Sequence, residues 1–271
     1  MGKHIRHHPL QRLSSPSRTL SLLLHTAGLA SFAYSFNFLI SHPNTVNDSY
    51  GWHFQYLTII GLSLATLTVA TATLADLTRS SSLFAIKNVL SVCSTPLEVL
   101  ISLLYWGLRL IDPELVVPKH LEQPLPADLS FHFMPALVLV VDLLFLSPPW
   151  TITVAPAITL SGAIASAYWL WIELCYSHNG FYPYPLFALL DGSQRTVLFA
   201  ASAVLMAANT VVLQWAYARV NGVLLLFPPP ADHGLPSEHG KNWGDWWQLQ
   251  EGQQQQQQYS DMDSPIDMIL K

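Results

Sequence analysis

Charge is what this 271-residue chain has least of: 12 Lys and Arg and 17 Asp and Glu, together 11% of its residues, where a soluble domain carries roughly 25%. That scarcity excludes an ordinary soluble enzyme, whose surface needs charge to stay in water. The net charge of −5 belongs to the tail. Residues 228–271 hold Lys241 and Lys271 against Asp232, Glu238, Asp245, Glu251, Asp261, Asp263 and Asp267, which leaves the rest of the chain balanced. No basic stripe remains for nucleic acid, whose capture needs clustered Lys and Arg. Cysteine is nearly absent. Cys93 and Cys175 fall in different apolar blocks, so no disulfide is expected between them and they do not report a redox compartment. No tight ligand spacing such as HExxH occurs, and neither a metal nor a cofactor is expected. No internal repeat is found.

What the chain has instead is apolar length. A spanning helix needs about 20 apolar residues, and six segments qualify: Thr19–Ile40, Tyr56–Ala75, Val89–Ile111, Leu129–Ser147, Thr151–Tyr176 and Thr196–Ala218. The expected fold is an all-α integral membrane bundle of about six transmembrane helices. An even number puts both termini on one side. Lys3, Arg6, Arg12, Arg18, Arg79, Lys87, Arg219, Lys241 and Lys271 fall on that side, against Arg109, Lys119 and Arg195 on the other, so the positive-inside rule predicts cytoplasmic termini. Three regions follow: a basic arm over 1–18, including His4, His7 and His8; a six-span domain over 19–218; and an acidic tail over 219–271. The tail contains Pro228-Pro229-Pro230 and the run Gln253–Gln258, a composition that builds no core and predicts disorder. Trp243, Trp246 and Trp247 suit either a membrane interface or a partner motif. The basic start before Leu20–Leu24 also admits a signal peptide cut near Ala33, but the apolar run continues to Ile40. Asn47-Asp48-Ser49, the chain's one N-x-S/T sequon, falls in the predicted outer loop. Pro148-Pro149 predicts a tight inner turn that packs spans four and five side by side.

Ionisable groups inside a bilayer are costly and therefore mark functional candidates. Here they are His25, Glu98, His132, Asp142 and Glu173. At about 1.5 Å of rise per residue, His132 lies near the outer end of span four and Asp142 about 15 Å deeper. Glu98 reaches the depth of Asp142, so these two acids can share a proton or hydrogen bond if their helices touch. Glu173 is the spanning acid at the level of His132. His25 is read as packing between helices. The outer side also collects His42, His53, His120 and His178.

Thr58, third in span two, shares the outermost turn with His132. A hydroxyl beside a general base is the minimum for nucleophilic acyl transfer, because a Thr hydroxyl is a poor nucleophile until its proton has an acceptor. The helix N-termini at this level present amides that can stabilise an oxyanion. The structural alternative is equally plain: span two also holds Ser63, Thr66, Thr68, Thr71 and Thr73, and such hydroxyls bond the carbonyl one turn back. Gly61, Ala65 and Ala72 make a small-residue face that packs against other helices.

Four stretches resemble the androgen-induced-gene type family of multipass membrane proteins, from about Thr19 to Ala218. They are Trp52–Thr58; Trp106 with Asp112-Pro113-Glu114 and Val117-Pro118-Lys119; His132 followed by Asp142; and His178-Asn179-Gly180 with Tyr182-Pro183-Tyr184-Pro185. The resemblance implies a helical bundle of an endomembrane such as the endoplasmic reticulum, or of the plasma membrane. It also implies a hydrolase that cleaves fatty acid esters of hydroxy fatty acids, with Thr58 as nucleophile and His132 as its partner. On this reading Glu173 orients His132, and the outer loops with Asp112, Glu114, His178 and Tyr182 cover the site. The partner is a membrane lipid or fatty acyl ester within the bilayer. Pro135, three residues after His132, bears on that histidine's pose, and the Gln-rich tail departs from the family. Two rivals stand beside the hydrolase: a transporter or receptor-like protein with a Glu98/Asp142 ion or proton site, and a non-catalytic scaffold acting through its tail.

Overall fold

The computed structural model describes residues 19–118 and 121–221. The chain divides into two units, Met1–Leu225 and Leu226–Lys271. The expectations for the basic arm, for Lys119 and His120, and for the tail with its tryptophans and glutamines lie outside the described residues.

The described chain is helical: α1 Leu20–Ser41, α2 Leu57–Thr78, α3 Ser81–Ile111, α4 Leu125–His132, α5 Met134–Leu146, α6 Val154–Asn179, α7 Pro185–Leu189 and α8 Gly192–Asn221. Short 3₁₀ turns at Thr45–Asp48, Trp52–Gln55 and Pro113–Leu115 join them. Five helices are long and apolar enough to cross a membrane, and α4 with α5 makes a sixth, bent span. Large apolar side chains such as Leu23, Ile40, Leu110, Leu170 and Val204 face outward, as a protein solvated by lipid requires.

Helix α2 is the axis, packed on α1, α3, α4 and α5, while α6 packs on α8 and α8 on α3 and α5. The small face of α2 explains its position: Gly61, Ala65 and Ala72 are all buried. The approach at Gly61 is so close that an added Cβ would stand 2.5 Å from Ile101 Cδ1 and 2.7 Å from Glu98 Oε1. A left-handed Arg79 (φ 56°) ends α2, and the Ser80 hydroxyl accepts from Leu83 N to open α3, which makes a tight helical hairpin.

Three boundaries differ from the sequence reading. Helix α3 starts eight residues before the predicted span, because Lys87, read there as a loop cation, is only 1% exposed and ion-paired. The fourth span breaks at Phe133, where α4 and α5 meet at 42°. Pro135 has no N–H for the carbonyl one turn back and its ring crowds that carbonyl, which favours a bend here. Residues 147–153 are non-helical, and α6 packs on α8 rather than on α5. The prolines therefore end one span without making the next its neighbour. Helix α1 is unbroken and packs on α2, so its apolar run is a member of the bundle.

Candidate active site

The first turn of α2 has no side-chain cap of its own. The N-terminal amides of a helix lack intrahelical acceptors, and here two phenols from distant segments accept from them. Leu57 N donates to Tyr168 Oη at 3.2 Å and Thr58 N to Tyr184 Oη at 3.5 Å. Tyr168 in turn donates to the Gln55 carbonyl at 2.9 Å. The Thr58 hydroxyl lies 3.4 Å from Tyr184 Oη. Ser63, Thr66, Thr68, Thr71 and Thr73 each bond the carbonyl one turn back. Thr58 is the hydroxyl of α2 that turns to a distant side chain at the helix mouth.

The break after α4 fixes His132 as that helix's last residue. Its Nδ1 lies 2.9 Å from Asp128 Oδ1, one turn earlier. A carboxylate accepts, so Nδ1 carries the proton and Nε2 keeps its lone pair. Nε2 has no hydrogen-bond partner among the described residues. The imidazole stacks on Tyr105, with ring centroids 3.4 Å apart and planes within 1°. Tyr105 donates to Asp128 Oδ1, Arg109 Nη1 donates to Tyr105 Oη at 2.9 Å, and the same nitrogen lies 3.0 Å from Asp128 Oδ2. A histidine with one nitrogen held by a buried carboxylate and the other open is the arrangement of a general base.

Two cavities meet here. One, about 950 Å³, lies between α3, α6 and α8 and is lined almost wholly by apolar side chains such as Leu100, Ile101, Ile164, Phe199 and Met206. The other, about 610 Å³, is lined by His132 together with Asn44, His53, Gln123 and Leu121. Thr58, Tyr105, Val116 and Tyr184 belong to both walls. Thr58 and His132 thus face one space, although no hydrogen bond joins them among the described residues.

The other predicted site residues are elsewhere. Glu173 does not orient His132: it accepts from Trp169 Nε1 at 3.2 Å and from Tyr182 Oη at 3.0 Å, and pairs with Arg195 at 3.4 Å. Burial, with the Glu173 carboxylate beside it, pushes the Tyr182 hydroxyl up to about 12. His178 stacks on Tyr50. Asp112 accepts from Glu114 N at 2.9 Å and opens the turn Pro113–Leu115. None of Asp112, Glu114, His178 and Tyr182 lines either cavity; Val116, Val117, Pro118 and Tyr184 do. The histidines do not converge either. His42 stacks on Phe38, and His53 lies 3.3 Å from Asn47 Oδ1. Among the described residues no three His, Cys, Asp or Glu side chains are placed to hold a metal. Asn47 of the sequon caps its own turn, accepting from Asn44 N at 2.8 Å. Cys93 and Cys175 are both free thiols.

The sequence profile of FAR-17a/AIG1-like proteins matches residues 20–218, the whole bundle that carries this geometry. The chain belongs to this family. A UPF0641 membrane protein of Schizosaccharomyces pombe is 36% identical over 207 residues, covering 75% of this chain and 92% of that protein. No solved structure matches. Family membership and the apolar helices together make this an integral membrane protein.

Within this FAR-17a/AIG1-like bundle the mid-membrane acid pair of the sequence reading does not form. Asp142 accepts from Lys87 Nζ at 2.8 and 3.1 Å and from Ser147 Oγ at 2.9 Å, and its Oδ1 lies 2.9 Å from His25 Nε2. His25 Nδ1 is 2.7 Å from Asp76 Oδ2, which also accepts from Ser21. His25 is therefore the centre of an ion network rather than a packing residue. Glu98 is buried on α3 against Gly61, and its Oε1 has no hydrogen-bond partner among the described residues.

Sequence reasoning missed Asp128, Tyr105, Tyr184 and Asp76. Asp128 stands one residue before the predicted span, and its i,i+4 spacing to His132 on a helix was the available signal. Tyr184 was in the quoted Tyr-Pro motif, where Tyr182 was chosen instead. Asp76 follows the predicted end of span two by one residue.

Proposed function

We propose that the protein is an integral membrane hydrolase of lipid esters, with Thr58 as nucleophile and His132 as general base, and with fatty acid esters of hydroxy fatty acids as the substrate class. The observation that carries this reading is the meeting of the two cavities at Thr58, with His132 lining the second and its Nε2 without a hydrogen-bond partner among the described residues. Thr58 Oγ attacks the ester carbonyl while its proton passes to His132 Nε2. The alkoxide leaves with that proton, and water repeats the sequence on the acyl-threonine. Contacts of this kind tighten when substrate binds. Asp128 holds the imidazole in the tautomer that accepts at Nε2, and Tyr105 and Arg109 hold Asp128. The apolar lining of the first cavity suits a hydrocarbon chain, each methylene contributing about 0.8 kcal/mol on burial.

The experiment is fluorophosphonate labelling of the purified protein in detergent, followed by turnover of an ester of a hydroxy fatty acid, for wild type, Thr58→Ala and His132→Ala. Labelling and turnover lost in both variants support the reading; labelling absent from folded wild type overturns it. The transporter reading required Glu98 and Asp142 together, and Asp142 is instead neutralised by Lys87.

A further inference from the structure

At the junction of the two cavities, an ester carbonyl attacked by Thr58 becomes an oxyanion that needs a hydrogen-bond donor beside the nucleophile. Four residues are common to both walls: Thr58, Tyr105, Val116 and Tyr184. Thr58 is the proposed nucleophile and Val116 is apolar. The Tyr105 hydroxyl is committed, donating to Asp128 and accepting from Arg109. Tyr184 remains. Its hydroxyl is 3.4 Å from Thr58 Oγ1 and 3.5 Å from Thr58 N. An oxygen on a carbon newly bonded to Thr58 Oγ1 therefore falls within reach of that hydroxyl, near the donor distance of about 3 Å that oxyanion contacts need.

From this geometry we infer that Tyr184 is a catalytic hydrogen-bond donor, its hydroxyl stabilising the oxyanion that forms when Thr58 attacks the ester. The inference rests on the hydrolase reading and adds a residue to it. In each half-reaction the carbonyl π pair moves onto oxygen as the nucleophile's bond to carbon forms. Tyr184 donates a hydrogen bond to that oxygen and keeps its proton, which leaves all proton transfer to His132. When the C–O bond to the leaving group breaks, the pair returns and the Tyr184 contact relaxes.

The rest of the site suits this role. The Tyr184 ring meets Tyr56 and Phe187 edge-on, with centroids at 5.4 and 5.7 Å, and Pro183 and Pro185 restrict the backbone on both sides. A donor held this way costs little reorganisation when charge develops. Desolvation raises the Tyr184 pKa above that of an ordinary phenol, so the hydroxyl stays protonated at neutral pH. Resting against Thr58 N, it also occupies the amide that would otherwise be the second donor. Substrate oxygen, on entering, takes both.

The test is Tyr184→Phe in the full chain, which keeps the ring contacts and removes the hydroxyl. Expected are a fall in kcat of about 10²- to 10³-fold, a KM within about threefold of wild type, and equally weakened binding of a trifluoromethyl ketone that becomes a tetrahedral adduct. Insertion of difluorotyrosine at 184 restores most of kcat, which also covers the case in which the phenylalanine variant folds poorly. Turnover within threefold of wild type in Tyr184→Phe, when Thr58→Ala is inactive, overturns this inference alone. Full turnover in Thr58→Ala overturns it together with the hydrolase reading. A parallel rise in KM with unchanged kcat also overturns it, since that marks a residue that only shapes the cavity.

Discussion

At the end of the bundle where α3 begins, Ser21, His25, Asp76, Lys87, Asp142 and Ser147 are all buried, and their charged atoms meet one another at 2.7–3.1 Å. At the end where α2 begins, Thr58, Tyr105, Asp128, His132 and Tyr184 use similar chemistry, but two cavities open among them. The first set is closed: carboxylates face a lysine and both nitrogens of a histidine, and each hydroxyl has a carboxylate or ammonium partner. The second is closed on one side only. Asp128 is surrounded by donors, while Thr58 and His132 line a cavity. The contrast shows how buried polar groups divide between holding helices together and acting on a ligand. A satisfied network rigidifies, and one that ends at a cavity has capacity left for a substrate.

Substitutions at the two ends should therefore separate, and the largest effect belongs at the open one. Thr58→Ala should lower turnover more than 10³-fold, as loss of an activated nucleophile does, while the unfolding midpoint in detergent stays within a few degrees of wild type. At the closed end the order reverses. Lys87→Met leaves Asp142 buried without its cation and should cost about 3–5 kcal/mol of stability, read by denaturant unfolding, whereas turnover per folded molecule is kept. Adding Asp142→Leu should recover part of the loss, because it removes the carboxylate left without its lysine, while His25 Nε2 then loses its acceptor. Equal loss of turnover per folded molecule in Thr58→Ala and Lys87→Met would erase the distinction between the ends.

A smaller effect tests how far the open end depends on its support. Asp128→Asn keeps shape but reverses the tautomer preference at His132, and should lower kcat about 10²-fold with little change in KM. The smallest concerns His53, outside the spans, whose imidazole burial holds below its ordinary pKa. Its folded pKa is the lower one, so the unfolded chain binds more protons between that value and about 6.5. Stability from this group is present above about 6.5 and lost as pH falls through the folded pKa. His53→Gln should flatten the decline in unfolding midpoint as pH falls below about 6.5.

The helices were largely legible in the sequence, because each crosses an apolar medium and must carry about 20 apolar residues to do so. That rule located α1, α2, α6 and α8 closely. It failed where polarity is internal. Lys87 looked like a loop residue because the ion pair that permits its burial comes from Asp142, far along the chain. Asp128 and Asp76 were passed over for the same reason, each standing just beyond an apolar run. Thr58 and His132 were readable as residues at one depth, but depth says nothing of rotation about a helix axis. Glu173 was assigned to His132 on depth alone, and its carboxylate faces Tyr182 and Arg195 on another side.

By itself the sequence determined that this chain is an integral membrane helical bundle and where its apolar runs lie. Only the tertiary structure decided which polar groups meet: Asp142 with Lys87 and His25 rather than Glu98, His132 with Asp128 rather than Glu173, and Thr58 with Tyr184. The physical reason is directionality. Apolar burial depends on area and is summed along a segment, whereas a hydrogen bond or buried ion pair requires two groups from distant segments at about 3 Å, and that distance exists only after the helices have packed.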